Sequence, residues 1–339
     1  MSFDILKQDI KNKRIRSLYL FYGPEEFLKK YYLEEIERIL LKDGFKELNR
    51  IVLEGKTDIA GIIENCETLP VFCEKKIVIV KNSGLFKAKG KTADVQKAAA
   101  AQENMVSCLQ NVPNYTCLVF CEDGIDARIK AVETVKKNGL AVEFAFRSPT
   151  ELAKWVENKF KSAGKKIDPA AADLLVEYSE PGMNDILNEI SKIEMYLGDR
   201  IEAGVRDIEE ACAKTVKSRI FDLIDAIAAR DGTLALRILR DMIFLKEPVS
   251  RILFLVGRQF KQILQLKLLA AEGMSLALAA EEMGISVYVA GKIQKQAAGF
   301  AEIELKRAME KCLNLDEAIK TGKMNESIAV ELLIAEFAK

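Results

Sequence analysis

The residues that follow the first apolar run of the sequence have the order found around a nucleotide-binding loop. Residues 18–36 read LYLFYGPEEFLKKYYLEEI, an apolar run that meets Gly23 and Pro24 and continues as an amphipathic segment. In a working phosphate loop, G-x-x-x-x-G-K-[ST], the glycines let backbone N–H groups approach the phosphates, the lysine neutralises their charge and the hydroxyl holds magnesium. The activity to be tested against these residues is therefore the binding and hydrolysis of a nucleoside triphosphate.

Counted from Gly23, the loop reads GPEEFLKK and departs from that pattern at two required positions. Leu28 stands where the second glycine is needed, and Lys30 stands where a hydroxyl would hold magnesium. Lys29 does fall at the lysine position. Because one lysine cannot restore a cradle that lacks a glycine and a metal ligand, the residues favour a structural turn over a binding site.

The charges around this loop also argue against a polyphosphate. Glu25 and Glu26 place two negative charges where the phosphates would rest, and their repulsion would weaken binding. The strand KKIVIVKN, which should end in a metal-holding acid, ends in Lys81 and Asn82. A later strand, LVFCEDG, does end in acidic residues, which we interpret as an ordinary strand-end turn. The sequence therefore predicts no catalytic site, no metal and no cofactor.

Length and charge limit the classes of protein that this chain could be. With 339 residues it is expected to hold two or three domains, because single hydrophobic cores stop growing below this length. Lysine plus arginine equals aspartate plus glutamate, 51 each, so any DNA contact must come from a local patch. No secretory signal and no apolar run near the ~20 residues of a membrane span is present, which predicts a cytoplasmic protein without a membrane partner.

Two residue types exclude several kinds of catalytic and metal site. The sequence has no histidine, which removes Ser-His-Asp and Cys-His catalysis and the usual near-neutral general base. Its seven cysteines include no Cys-x-x-Cys pair, so they are interpreted as reduced, mostly structural thiols in a cytosol. The cysteines lie at positions 66, 73, 108, 117, 121, 212 and 312.

The pattern of apolar residues divides the chain near residue 147. Before that point five strand-like runs alternate with amphipathic segments, which predicts a mainly parallel sheet with helices on both faces. After Arg147, Ser148 and Pro149 the strands stop, and the remainder has helical periodicity. The predicted fold class is an α/β N-terminal domain followed by helical domains. The five runs are LYLFYG, LNRIVLEG, KKIVIVKN, TCLVFCE and AVEFAF.

Helix signals divide the helical region further. Three short helices, with prolines in first turns and glycines at ends, predict a small helical domain over residues 148–212. The helices that follow are rich in leucine, isoleucine and phenylalanine, and must bury a broad face in their own bundle or against other subunits. We therefore predict three domains, at residues 1–147, 148–212 and 213–339.

Local matches to one known family run through nearly the whole chain. They are LYLFYGPEEFL, NCETLPVFCEKKIVIVKN, ELAKWVENKFKSAGKKIDPAAADLLVEYSEPGMNDILNEISKIEMY, and IFDLIDAIAARDGTLALRIL followed by GRQFKQILQLKLL. In this order and spacing the chain resembles the delta-subunit family of bacterial DNA polymerase III, whose members open the sliding clamp as part of the clamp loader.

The resemblance implies an architecture, an activity and a set of partners. The implied architecture is an AAA+ (RecA-like) α/β domain, a three-helix lid domain and a C-terminal collar-type domain that joins the loader subunits. The family's delta subunit does not hydrolyse ATP, which other loader subunits do. The implied partners are the sliding clamp (beta subunit), loader subunits of the gamma/tau and delta prime types, and primed DNA through the complex.

The resemblance also assigns a clamp-binding element, TLPVFCEKK, to residues 68–76. Within it Leu69, Val71 and Phe72 match the family's hydrophobic tip, which in relatives inserts into a pocket on the clamp. Such side chains are effective anchors, since each stabilises by roughly 1.5–3 kcal/mol when fully buried. The alternative, favoured by the residues without the resemblance, is that Val71 and Phe72 cap the core of the sheet.

A second assignment falls near the C-terminus, in LNLDEAIKTGKMN, where Asp316, Lys320 and Gly322 match the family's spacing. Lys320 and Lys323 would allow contact with a DNA backbone. A solvated helix end, with lysines that complement the helix dipole, explains the same residues.

Three hypotheses follow for the function. The leading one is a non-enzymatic loader subunit that binds the clamp through its first domain and its partner subunits through the C-terminal helices. The second is an active AAA+ ATPase acting on nucleic acid or protein. The third is a purely structural helical adaptor, which would not bind a clamp.

Overall fold

The computed structural model describes residues 2–41, 45–55, 58–87, 95–180, 182–212 and 215–338, with no side chains described for 95–102 and 217. The described chain divides into two compact units after residue 146, and residues 182–184 belong to the first unit. Each unit has its own hydrophobic core.

The first unit alternates helices with the strands of a parallel sheet. Its elements are α1 (Ser2–Lys11), β1 (Leu18–Tyr22), α2 (Glu26–Leu40), α3 (Lys46–Asn49), β2 (Arg50–Glu54), α4 (Ile59–Glu67), β3 (Lys76–Lys81), α5 (Val95–Gln110), β4 (Thr116–Glu122), α6 (Lys130–Asn138) and β5 (Leu140–Glu143). Within the described residues the strands run β2-β3-β4-β1-β5, all parallel to their neighbours. Each of the five strands overlaps one of the five predicted runs, which confirms the α/β prediction.

Alternate residues of the strands enter two cores on opposite faces of the sheet. Leu20 and Val80 both pair with Phe120 in register, and these three side chains pack against α4, α5 and α6. Phe21 and Ile79, one position along, pack on the other face against α1 and α2. The central strands β1, β3 and β4 are covered on both faces and are mostly apolar rather than alternating, as buried parallel strands usually are, whereas the edge strand β2 is only partly buried.

The second unit is mostly helical. Its elements are α7 (Pro149–Ser162), β6 (Lys166–Ile167), α8 (Pro169–Tyr178), α9 (Met183–Leu197), β7 (Glu202–Ala203), α10 (Val205–Ala211), α11 (Val216–Ala228), α12 (Gly232–Phe244), α13 (Val249–Ala271), α14 (Leu276–Glu282), α15 (Val287–Ala298), α16 (Glu302–Lys320) and α17 (Glu326–Phe337), with the start of α9 in the first unit. One core joins α11 to α17, in agreement with the predicted helical C-terminal region.

The prediction that strands stop after Arg147 was wrong in one place. The two-residue strands β6 and β7 pair in parallel, with the Asp168 N–H donating to the Ala203 carbonyl at 3.0 Å. A strand of two residues is too short to show alternation, so periodicity cannot detect it. The same stretch holds a fourth helix, α10, where three were predicted.

Helices on either side of the predicted boundary at residue 212 pack together. Buried Glu177 of α8 lies 3.6 Å from Lys292 of α15. Burial is the largest single effect on the pKa of Lys292 and lowers it, but Glu177 together with Tyr288 and Tyr178 raises it by more, so the net shift is upward. Arg251 of α13 lies 3.7 Å from Glu180. The boundary itself adjoins residues 213 and 214, which lie outside the described residues, so the division into three domains stays a prediction.

The cysteine side chains are free thiols, and most are buried. Burial raises the pKa of Cys66, Cys121, Cys212 and Cys312 to about 12, so these thiols stay protonated and unreactive at neutral pH. In the part of the chain that the structure describes, we find no cluster of acidic or cysteine side chains suited to a metal ion. Nor does any described helix have the length and apolar character that a membrane crossing requires.

Candidate functional site

The turn after β1 is shorter than a phosphate loop. Helix α2 begins at Glu26, so only Gly23, Pro24 and Glu25 separate it from the strand. Leu28, Lys29 and Lys30 are therefore helical residues and do not form a loop around a ligand. A cradle of backbone N–H groups requires the chain to curve around the phosphates, and this turn is too short to do so.

Gly23 allows the backbone of β5 to approach this turn closely. Its φ is +117°, and a Cβ atom at this position would lie 2.5 Å from the Phe144 carbonyl oxygen. The same oxygen accepts a hydrogen bond from the Glu25 N–H at 2.9 Å, and the Gly23 N–H donates to the Glu122 carbonyl at 3.1 Å. The glycine is thus required by the packing of three strand ends, without any ligand.

Glu25 occupies the amide donors that an anion would need. Its side chain is 1% exposed and caps α2 by accepting a hydrogen bond from the Phe27 N–H at 3.3 Å. It also accepts from the Met183 N–H, at the start of α9, at 3.3 Å. A helix N-terminus is where a phosphate group binds in a nucleotide site, and here the buried Glu25 carboxylate occupies that position.

The two lysines of the motif have other partners. Lys29 is buried, donates to the Glu122 carbonyl at 3.2 Å and contacts the carboxylate of Glu26. Lys30 is exposed and lies 3.9 Å from Glu34 of the next turn. The positive charges of these two lysines, which could neutralise a phosphate, each lie beside a glutamate of the protein instead.

The residues before β3 form an exposed apolar tip, which we define as Leu69, Val71 and Phe72. Leu69 is 73% exposed and Phe72 is 80% exposed, and Val71 is exposed as well. The alternative in which Val71 and Phe72 cap the sheet core is therefore wrong. Grouped exposed apolar side chains are a common feature of interaction surfaces, so the tip is a candidate binding site.

The start of the tip is held by a buried lysine. The ammonium group of Lys76 donates to the carbonyl of Asn65 and to the hydroxyl of Thr68, both at 2.6 Å, and also to the carbonyl of Thr68. Burial lowers the pKa of Lys76. These acceptors lie at the C-terminal end of α4, where a cation complements the helix dipole. The lysine therefore anchors the point at which the chain leaves α4.

The middle of the tip is held by Asn49, the last residue of α3. Its side chain is 0% exposed. The amide oxygen accepts from the Val71 N–H at 2.7 Å, and the amide nitrogen donates to the Val71 carbonyl at 2.8 Å. Both backbone groups of Val71 are thus paired although the tip belongs to no strand.

Two family models match the chain. The one described as DNA polymerase III, delta subunit matches residues 19–145, which include the turn after β1 and the tip. The one described as DNA polymerase III delta subunit, C-terminal domain matches residues 217–337. The chain belongs to the DNA polymerase III delta-subunit family.

Relatives of this delta-family chain match along its whole length. The DNA polymerase III subunit delta of Bacillus subtilis (strain 168) is 28% identical over 342 residues, covering 100% of this chain and 97% of the relative. The solved structure of the Bacillus subtilis DNA clamp loader delta protein aligns with a TM-score of 0.51 and 26% identity, covering 100% of this chain and 99% of that one. The family and the fold class predicted from the sequence are confirmed.

The second site assigned to the delta-family chain lies at the end of α16. Lys320 pairs with Asp316 at 2.6 Å and is exposed, as is Lys323 just beyond the helix. Lys320 lines a groove of about 760 Å³ between α13 and α16, together with Arg258 and Lys261. Among the described residues neither of these two α13 side chains has a carboxylate partner, so they are the more available cations, and sequence reasoning missed them.

Asn49 and Lys76 were also missed when the delta-family motifs were read from sequence. Asn49 follows an ordinary amphipathic segment and Lys76 opens an apolar strand, so neither has a local pattern that indicates a role. Their partners lie 22 and up to 11 positions away in the chain. Only the folded structure brings them to the tip.

Proposed function

We propose that this chain is the clamp-opening subunit of a bacterial clamp loader. The observation that carries the proposal is the exposed tip, which presents Leu69, Val71 and Phe72 from a loop that is fixed at two points. An apolar pocket on a sliding clamp is a suitable receptor, because burial of each such side chain contributes roughly 1.5–3 kcal/mol. The relatives' names, which include a clamp loader delta protein, support this choice of partner.

Opening of the ring follows from differential binding. A closed ring is shifted open only by a ligand that binds the open shape better than the closed one. The tip would therefore bind a clamp conformation that the closed ring disfavours. Because the tip is preorganised by Asn49 and Lys76, binding it costs little ordering of the loop.

The same proposal assigns ATP hydrolysis to other subunits. Burial of Glu25 at the start of α2 supports this assignment, since the carboxylate occupies the donors that a nucleotide would use. Loader subunits of the gamma/tau and delta prime types would supply the hydrolysis and would pack on the C-terminal helices. These helices expose several large apolar side chains, including Phe244, Ile303 and Leu313. The complex would act in the cytoplasm.

Contact with primed DNA is the remaining part of the proposal. Lys320 and Lys323 at the end of α16 would bind the phosphate backbone. We expect Lys323→Gln to lower the slope of log affinity against log salt concentration by about one unit for the assembled loader on primed DNA. An unchanged slope would leave the solvated helix end as the explanation of these lysines.

The decisive experiment is a pull-down of the purified chain with the sliding clamp, with and without MgATP. We expect binding that is the same in both conditions, because the tip and the turn after β1 do not depend on nucleotide. Equilibrium dialysis with labelled ATP should detect no micromolar binding by the isolated chain. Turnover of ATP by the chain alone would instead favour an active AAA+ ATPase, and failure to bind the clamp would favour a structural adaptor.

A further inference from the structure

The tip does not stand alone on the surface of the first unit. The ring of Phe72 lies against the ring of Phe45, just before α3, with centroids 5.4 Å apart and planes inclined by 42°. Phe45 and Leu48 of α3 are themselves among the exposed large apolar residues. Asn49, next to Leu48, binds Val71 through both backbone groups. Residues 45–49, which comprise Phe45 and α3, are thus joined to the tip by a ring contact and two hydrogen bonds.

The backbone of Phe72 indicates that this arrangement is imposed by the surroundings. Its φ is +54°, in the left-handed region that residues other than glycine seldom adopt. Such a conformation persists only where neighbouring contacts determine it. Asn49 binds both the N–H and the carbonyl of Val71, the residue before Phe72. The Asn49 amide nitrogen also donates to the Phe45 carbonyl at 2.9 Å. One buried side chain therefore links the position of Val71 to that of Phe45.

From these contacts we infer that α3 is a second segment of the clamp-binding surface and that Asn49 is the positioning residue that holds it in register with the tip. The inference rests on the proposed function. The partner it fits is one protein surface with an apolar pocket for Phe72 and an adjoining apolar area for Phe45 and Leu48. Asn49 is buried beneath this surface and would not contact the clamp itself. It acts by keeping Phe72 in its outward conformation.

The test compares full-length variants for binding to immobilised sliding clamp. Asn49→Asp keeps the size of the side chain but removes both hydrogen-bond donations, and Phe45→Ala removes the ring that supports Phe72. We expect each to weaken binding by about tenfold. In the free Asn49→Asp chain, amide exchange at residues 71–73 should also accelerate. The double variant Phe45→Ala with Phe72→Ala should lose less than the product of the single losses, since the two rings act together.

The control is Thr134→Val, which removes another part-buried hydrogen bond of the first unit, from the hydroxyl of buried Thr134 to the Lys130 carbonyl at 2.9 Å, without touching the tip. Thr134→Val should bind the clamp with the affinity of the unaltered chain, whereas Asn49→Asp should bind it more weakly. Circular dichroism should show that both variants remain folded. If Phe72→Ala weakens binding but Asn49→Asp and Phe45→Ala do not, the inference is overturned and the proposed function stands. If Phe72→Ala itself has no effect, both are overturned.

Discussion

Replacing Phe72 with alanine is expected to weaken binding to the sliding clamp by about thirtyfold or more, which corresponds to roughly 2 kcal/mol for a hot-spot aromatic residue. The ring is 80% exposed in the free chain, so its apolar area is still available to be buried against a partner. For the same reason its removal should cost the fold little. Surface plasmon resonance on immobilised clamp measures the affinity, and the melting temperature should stay within a degree or two.

A matched control exists in the second unit. Phe244, at the end of α12, is 86% exposed, so Phe244→Ala deletes an equally exposed ring that lies outside the tip. The isolated Phe244→Ala chain should bind the clamp normally. Equal losses for the two variants would mean that exposed apolar rings bind the clamp without specificity, and the assignment of the tip would then be lost. Leu69→Ala and Val71→Ala should give smaller losses in the same assay.

Replacing Gly23 with alanine is expected to destabilise the first unit by about 3 kcal/mol or more, as the sum of two costs. The φ of +117° is strained for any side chain, at roughly 1–3 kcal/mol. In addition the new Cβ would lie 2.5 Å from the carbonyl oxygen of Phe144, and such overpacking costs typically about 1–3 kcal/mol. The carbonyl cannot move freely, because it accepts from Glu25 and the Phe144 N–H donates to Tyr22.

Native-state hydrogen exchange of the β1 amides measures this effect where it occurs, since exchange there reports the opening of the first unit. Gly55→Ala separates the two costs: its φ is +80°, and an added Cβ would meet no heavy atom within 4 Å. It should therefore cost less than Gly23→Ala, through backbone strain alone. If the two variants are equally stable, the close approach of β5 does not constrain this turn.

Much of the fold was available from local sequence. The five strands were predicted because each is a short run rich in apolar residues, and the central strands supply alternate residues to the cores on both faces of the sheet. The loss of the phosphate loop was also visible, since Leu28 and Lys30 replace residues whose chemistry cannot be supplied by neighbours. The strands β6 and β7 were missed because two residues carry no periodicity.

What the sequence by itself determined is the absence of a phosphate loop, because this depends on residue types within a few positions. The residues alone favoured a core position for Val71 and Phe72, and the apolar tip was implied only by the family resemblance. Only the tertiary structure decided that Glu25 is buried on amide donors as distant as Met183, 158 positions along the chain. It also decided that Phe72 faces outward and that Asn49 holds the tip, through partners 22 positions apart. Burial and long-range hydrogen bonds arise from the packing of separate segments, so no local pattern could have indicated them.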